Sequence, residues 1–181
     1  MERALRNFVI EIPMMKAVWA PWRRAYIEEG SNQAGCIFCD KRKEADARAS
    51  LVLTQTTHSV VMLNKYPYNS GHLLLAPKRH TNQCSALLRE EYEDLCESLR
   101  SSVEIILKVL RPSGINLGMN LGRSAGAGVE DHLHWHVVPR WEGDTNFMPV
   151  VAEVKVISQH LLESYDRLSP FFEDFLAQKH G

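Results

Sequence analysis

The alternation of apolar and polar positions predicts five short strands and one long amphipathic helix. Apolar and β-branched side chains form short runs separated by polar turns, as in an antiparallel sheet. The predicted strands are Leu51–Thr54, Ser59–Leu63, His72–Ala76, Ile115–Leu121 and His132–Arg140. From Ser85 to Leu110 apolar residues recur every three or four positions, and Pro112 ends this helical pattern. We therefore expect an α+β domain, in which a long helix packs on one face of an antiparallel sheet.

Both ends of the chain are predicted to be extensions of this domain. Trp19 to Arg23 favours the start of a short helix, because Pro21 is tolerated in a first turn, and Gly30 to Gly35 is a predicted loop. A final helix is expected between Ser158 and Lys179, interrupted near Ser169-Pro170. The predicted organisation is an N-terminal extension at 1–35, a central domain at 36–148 and a C-terminal extension at 149–181.

Composition and charge exclude several classes of protein. A chain of 181 residues, 45% of them hydrophobic, suits one compact domain. Its 21 basic and 22 acidic residues give a net charge of −1, which argues against a general nucleic-acid binder but allows one local phosphate pocket. No apolar run approaches the roughly 20 residues that span a bilayer, and no signal peptide is recognisable. With only four cysteines, we expect a protein of the reducing cytoplasm, without a membrane partner.

The segment His132-Leu-His-Trp-His-Val-Val carries the strongest chemical signal. Side chains alternate across a strand, so its three imidazoles share one face and Leu133, Trp135 and Val137 share the other. A chance half-polar strand is a poor explanation when the whole chain has eight histidines. A trihistidine metal centre is a sharper alternative, but at about 3.3 Å per residue the outer two histidines lie roughly 13 Å apart, too far for one ion.

These histidines favour phosphoryl chemistry. A neutral imidazole nitrogen can attack phosphorus near pH 7, and His134, flanked on both sides, is the best candidate nucleophile. His136 can then donate a hydrogen bond to a phosphate oxygen or the leaving group. The preceding loop, Gly122 to Gly128, contains small residues whose backbone amides can approach a phosphate closely, although a flexible connection would use the same residues.

The histidine segment resembles the signature of the histidine-triad (HIT) family of nucleotide hydrolases and transferases. The resemblance extends to the segment from Leu63 to Pro77, which holds a fourth histidine, and covers about Cys36 to Trp141. It implies that His134 attacks the α-phosphate, that His136 contacts phosphate oxygens and that His72 lies beside them. The residues that it implies for nucleotide binding are Asn64, Asn120, Gly128, Trp141, Ile37 and Phe38.

One position departs from that family pattern. Many members place Ser or Thr shortly before the first histidine, where it donates to the bridging oxygen, but no hydroxyl lies between Gly126 and His132. Backbone amides or Asn120 are predicted to replace that donor.

A metal site is also expected. The spacing of Cys36 and Cys39 suits either a metal or a redox pair, but no thioredoxin-like pattern surrounds it. The arrangement resembles the zinc-containing branch of the superfamily, which includes galactose-1-phosphate uridylyltransferase. That resemblance implies a closed Zn²⁺ site made of Cys36, Cys39, His80 and His132. Four protein ligands leave no place for a catalytic water, so this zinc is expected to be structural.

The remaining motifs favour one reaction within the family. Trp19-Ala-Pro-Trp-Arg23 and the segment from Pro139 to Met148 resemble the bacterial diadenosine tetraphosphate phosphorylase branch, in which inorganic phosphate accepts the nucleotidyl group. We expect cleavage of dinucleoside polyphosphates through a nucleotidyl-histidine. The alternatives are hydrolysis of such compounds or of adenosine phosphoramidates, a non-catalytic nucleotide-binding protein, and a zinc hydrolase. The resemblance further implies a homodimer.

Overall fold

The computed structural model describes residues 35–144 and 160–179. The described strands are β1 (Val52–Gln55), β2 (Ser59–Leu63), β3 (Leu73–Pro77), β4 (Gly114–Met119) and β5 (Trp135–Arg140). The described helices are α1 (Ile37–Lys41), α2 (Ala47–Ser50), α3 (Arg89–Leu110) and α4 (Leu161–Lys179). The predicted helix at Trp19 to Arg23, most of the loop from Gly30 to Gly35 and the segment 145–159 lie outside the described residues.

The strands form one antiparallel sheet in the order β1-β2-β3-β5-β4. The expected α+β architecture is therefore confirmed. β3 and β5 are central, and their register pairs Leu73 with Val137 and Leu74 with His136. β4 forms one edge of the sheet, and its Leu117 is half exposed. Among the described helices, none is long and apolar enough to cross a membrane.

Alternating strand residues supply two separate cores. On one face of the sheet, Leu73, Leu75 and Val137 pack with apolar residues of α3 and α4, and this main core includes the buried side chains of Leu95, Ile106, Leu168 and Phe172. On the opposite face a smaller core forms around α1, with Phe38, Val52, Val60, Met62, Leu74 and Ala76. Because His136 pairs with Leu74, it lies on the face of this smaller core, away from the two long helices.

Both long helices differ from their predictions, α3 in the residue at which it begins and α4 in its continuity. α3 begins at Arg89 rather than Ser85, because the Glu91 carboxylate accepts the Leu88 amide and caps the helix there, while Cys84–Ala86 forms a separate 3₁₀ turn. α4 continues through Pro170, where an interruption was predicted. One missing amide is compatible with the helix because Leu168 and Phe172 are buried on either side of it and fix both halves.

β5 also begins later than predicted. His132 and His134 precede the strand, which starts at Trp135. The Leu133 amide donates to the Thr81 carbonyl at 2.8 Å, so the chain crosses the segment that follows β3 before it joins the sheet ladder. The three histidines nevertheless lie on the same side. His132 and His134 contact Phe38 of the smaller core, and His136 pairs with Leu74 of that core.

Candidate functional site

His134 is buried, with 3% of its surface exposed, and its tautomer follows from one hydrogen bond. Its Nδ1 lies 2.9 Å from the His132 carbonyl oxygen, which can only accept, so Nδ1 carries the proton. Nε2 of the neutral ring is therefore a free lone pair. Burial lowers the pKa of His134, which keeps the ring neutral near pH 7. A neutral imidazole with an unprotonated Nε2 is the form required of a nucleophile.

His72 and His136 form a directional pair. The Tyr68 amide donates to Nδ1 of His72 at 3.0 Å, so Nε2 of His72 carries the proton. That Nε2 lies 3.0 Å from Nδ1 of His136 and donates to it. The neutral His136 ring consequently holds its own proton on Nε2. This sequence of bonds turns His136 into a hydrogen-bond donor toward the site.

The Nε2 atom of His136 is buried and has no hydrogen-bond partner in the described part of the chain. A buried donor without a protein partner is costly, typically by about 1–3 kcal/mol, so this N–H is well suited to bind an acceptor on a ligand. The His134 and His136 rings lie 4.8 Å apart between centroids. Burial is the main cause that lowers the pKa of His136 to about 4, and repulsion from His134, when that ring is protonated, lowers it further. The site thus combines an unprotonated nitrogen, Nε2 of His134, with a neutral donor, the Nε2–H of His136.

Asn64, predicted to contact ribose, lies beside this pair at the end of β2. Its Nδ2 is 3.3 Å from Nδ1 of His72, and its Oδ1 accepts the Tyr66 amide at 2.9 Å. The Asn64 amide also donates to the His72 carbonyl. Asn64 therefore supports the position of His72, and its half-buried side chain remains a predicted ribose contact.

The loop before the histidines is folded on itself. Arg123–Ala125 form a 3₁₀ turn, and the Gly126 amide donates to the Arg123 carbonyl at 2.9 Å. Asn120 donates through Nδ2 to the Gly126 carbonyl at 3.4 Å, which ties the end of β4 to this loop. Gly128 is exposed. Asn120 and Gly128 thus share one loop system, and their contacts with a phosphate chain remain predictions.

The apolar residues predicted for the nucleotide pocket occupy different places. Phe38 is fully buried, and its ring centroid lies 5.0 Å from those of both His132 and His134. Ile37 is partly buried against the same small core. Trp141 instead packs against the main core, and its amide donates to Asp144. Phe38 therefore touches the predicted nucleophile directly, whereas roles for Ile37 and Trp141 in base binding remain predictions.

The four predicted metal ligands come together in space. One ligand atom from each of Cys36, Cys39, His80 and His132 lies within 4.8 Å of all the others. Nδ1 of His132 is 3.1 Å from the Cys36 sulfur and 3.7 Å from the Cys39 sulfur, and Nδ1 of His80 is 3.6 Å from the latter. A tetrahedral zinc with bonds of about 2.0–2.3 Å needs ligand separations of about 3.3–3.8 Å.

The protonation of His132 also fits a metal. Its Nε2 donates to the Pro77 carbonyl at 2.8 Å, so Nδ1 is left unprotonated and faces the two sulfurs. Burial lowers the pKa of His132 to about 4, which keeps the ring neutral. Two thiols and two imidazoles at these separations form a donor set that suits Zn²⁺.

Sequence reasoning missed Tyr68. Its amide fixes the tautomer of His72, and its ring lies against both His72 and His136. The only available signal was an aromatic residue in a polar turn, four positions before His72. An exposed turn position normally gives no reason to assign a side chain to a site.

Comparisons with known proteins agree with this fold. The HIT domain model matches residues 45–143. An AP-4-A phosphorylase of Mycobacterium tuberculosis is 35% identical over 158 residues, which cover 83% of this chain and 80% of that protein.

Two solved structures show the same fold. A hypothetical histidine triad nucleotide-binding protein of Sulfolobus tokodaii superposes with a TM-score of 0.59 and 26% identity, over 79% of this chain and 93% of that one. A zinc-bound histidine triad family protein of Mycobacterium smegmatis gives 0.55 and 20% identity, over 85% and 96% of the two chains. From the family match and the 35% identity, the chain belongs to the HIT domain family.

Proposed function

We propose that the chain cleaves dinucleoside polyphosphates, such as diadenosine tetraphosphate, by transferring a nucleotidyl group through His134. The observation that carries this proposal is the pairing of an unprotonated Nε2 on His134 with the buried, unpartnered N–H of His136, 4.8 Å away between ring centroids. The first supplies the lone pair for attack on phosphorus, and the second supplies a donor for a phosphoryl oxygen.

The proposed reaction transfers the adenylyl group twice, first to His134 and then to phosphate. Nε2 of His134 forms a bond to the α-phosphorus of diadenosine tetraphosphate, and the bond from that phosphorus to the bridging oxygen breaks, which releases ATP. The adenylylated ring carries a positive charge, which the His132 carbonyl stabilises through the Nδ1 proton. An oxygen of inorganic phosphate then attacks the phosphorus, the P–N bond breaks, and ADP leaves.

Phosphate as the acceptor is supported by the similarity to an AP-4-A phosphorylase across most of the chain. The alternative acceptor is water, which would make the protein a hydrolase of dinucleoside polyphosphates or phosphoramidates. The bare Nε2 of His134 serves both reactions equally, because the first step is the same. A non-catalytic nucleotide-binding protein would need no such nucleophile.

A structural Zn²⁺ is part of the proposal. Cys36, Cys39, His80 and His132 would hold it, with no open position for water. When bound, the ion supplies cross-linking rather than chemistry, since it connects α1 to the segment that carries the nucleophile.

A reducing compartment suits these thiols, and all four cysteines of the chain are free, in agreement with a cytoplasmic protein. We also propose a homodimer, which light scattering of the purified protein tests.

Product analysis tests the function. Diadenosine tetraphosphate is incubated with the protein, with and without inorganic phosphate, and the nucleotides are separated by anion-exchange chromatography. ADP and ATP formed only with phosphate identify a phosphorylase, whereas AMP and ATP formed without phosphate identify a hydrolase. Labelled substrate, quenched early, should leave an acid-labile nucleotidyl group on His134. If neither ADP with ATP nor AMP with ATP forms, and no labelled protein is found, nucleotidyl transfer is refuted.

A further inference from the structure

The ring of Tyr68 packs against both members of the His72–His136 pair. Its centroid lies 4.7 Å from that of His72 at an interplanar angle of 38°, and 5.7 Å from that of His136 at 13°. Such separations are typical of stacked aromatic rings. The two imidazoles are mostly buried, yet Tyr68 is 48% exposed. One face of the phenol ring therefore covers the histidines while the rest of it meets solvent.

The loop that carries Tyr68 is fixed at several points. Nδ2 of Asn69 donates to the Pro139 carbonyl at 3.1 Å and to Oδ2 of Asp144 at 2.8 Å. The His72 amide donates to the Asn69 carbonyl, and the Tyr68 amide reaches Nδ1 of His72. These bonds connect the loop to the end of β5 and to His72 itself. Because these bonds fix the backbone around Tyr68, its ring stays over the His72–His136 pair.

His136 needs such a constraint. An imidazole rotates about its Cβ–Cγ bond in a broad, roughly two-fold potential, and the bond accepted from His72 holds one point of the ring. The outer atom, Nε2, has no hydrogen-bond partner among residues 35–144 and 160–179. A flat ring lying at 13° to the imidazole opposes this rotation because a turned imidazole would collide with it.

We propose that Tyr68 is a positioning residue, whose ring holds the plane of His136 so that Nε2–H points toward the reacting phosphoryl group. The proposal rests on the nucleotidyl transfer proposed above. It assigns the effect to the flat ring rather than to the phenol hydroxyl. In this arrangement the ring of Tyr68 contacts the imidazole of His136 and does not stack on the base of the nucleotide.

Two kinetic constants separate these roles. A ring that orients His136 acts in the transition state, so its loss lowers kcat and leaves KM nearly unchanged. A ring that stacks on the nucleotide contributes to binding in both states, so its loss raises KM. Moving a catalytic donor out of place by about 1 Å typically costs about 10-fold to 100-fold in rate.

The experiment compares Tyr68→Leu, Tyr68→Phe and Tyr66→Leu. Tyr66 is the matched control, since it is a tyrosine of similar exposure in the same turn whose ring lies under Lys65. We expect kcat to fall about 10-fold to 100-fold in Tyr68→Leu. Its KM should stay within about threefold, and both other variants should behave like the unchanged protein. Loss of kcat in Tyr68→Phe, an unchanged Tyr68→Leu, or a raised KM alone would overturn the proposal.

A second measurement does not depend on turnover. Nitrogen-15 NMR of the histidine side chains reports the tautomer and ring environment of His136 in the substrate-free protein. Tyr68→Leu should broaden or shift the His136 resonances, and Tyr68→Phe should leave them in place; unchanged resonances in Tyr68→Leu would refute the positioning role. If the unaltered protein lacks activity, the proposed function fails, yet this spectrum still decides the role of Tyr68. Should Tyr68→Leu not fold, Tyr68→Met replaces the flat ring with an unbranched, flexible apolar side chain.

Discussion

Two groups of histidines lie side by side on one face of the sheet, and they differ in which nitrogen is free. In the predicted metal-ligand group, made of Cys36, Cys39, His80 and His132, His132 is protonated on Nε2 and turns Nδ1 toward the cysteine sulfurs. In the predicted catalytic group, made of His72, His134 and His136, His134 is protonated on Nδ1 and leaves Nε2 unprotonated. The two residues are separated by one position, yet their chemistry is opposite. Residue type therefore says less about function than the acceptor to which each ring donates.

Phe38 is the contact between the two groups. It lies in α1 between the two cysteine ligands, and its ring touches His132 on one side and His134 on the other. α1 has five residues, too few for a helix that is stable alone. Metal binding would hold α1 and thereby keep Phe38 packed beside His134, the proposed nucleophile.

The largest effect should come from His134→Ala. Without the nucleophile no covalent intermediate forms, so kcat should fall by at least about 10⁴-fold. Nucleotide affinity and zinc content should change little, because the four predicted metal ligands are intact. Steady-state kinetics and isothermal titration with a nucleotide measure the two effects. The control is His160→Ala, an exposed histidine at the start of α4, and substantial activity in His134→Ala would exclude the assigned nucleophile.

Cys39→Ser should show the reverse pattern. We expect bound zinc to fall below about 0.1 per chain, since a hydroxyl is a poor replacement for a thiolate ligand. Loss of several kcal/mol of metal binding should lower the melting temperature on the order of 10 °C. Well below that temperature kcat should stay within about tenfold of the unaltered protein.

Elemental analysis and thermal unfolding provide the measurements for this metal-site variant. Cys96→Ser is the matched control, because Cys96 is half buried in α3 and lies outside the metal-ligand group. Full zinc content in Cys39→Ser would contradict the assignment of this ligand.

The smallest effect near neutrality should be that of pH. Because burial lowers the pKa of His136 to about 4, this ring stays neutral from pH 8 down to about 5, and kcat should vary little there. As the pH falls through about 4, protonation removes the lone pair that accepts from His72, and kcat should fall. A kcat profile with a midpoint near 6.5 assigned to His136 would contradict its buried environment.

The same shift of pKa makes a prediction about stability. An unfolded histidine has a pKa of about 6.5, so between that value and about 4 the unfolded chain binds more protons than the folded one. The free energy of unfolding should therefore decrease as the pH falls through this window. Urea unfolding at pH 7.5, 6 and 5 measures the trend, and stability that rises on acidification would refute it.

The sequence predicted the parts of the site that depend on local pattern. Alternation along the segment from His132 to Val137 predicted a shared histidine face, because side chains alternate locally whatever the rest of the fold does. Resemblance to the family supplied the two distant members of the predicted metal site, His80 and His132, which the structure brings within reach of the cysteines. The five strands were predicted with limits shifted by zero to three residues at each end.

Features that depend on distant contacts could not be predicted in this way. The start of β5 moves to Trp135 because Leu133 bonds to Thr81, more than 50 positions earlier. The protonation of His72 depends on the amide of Tyr68, which is only four positions away but whose direction is set by the folded turn. Pattern and propensity describe neighbours along the chain, and neither contains the direction of an N–H bond in space.

The protonation sites of His132 and His134 are set by carbonyl oxygens of the main chain, those of Pro77 and His132. Amino-acid replacement cannot delete a peptide carbonyl. Neighbouring side chains are thus free to diverge over evolutionary time without exchanging the tasks of the two rings, provided that the backbone keeps its path. For a protein engineer, altering the course of this backbone would be a more direct route to reassigning the rings than substituting the side chains around them.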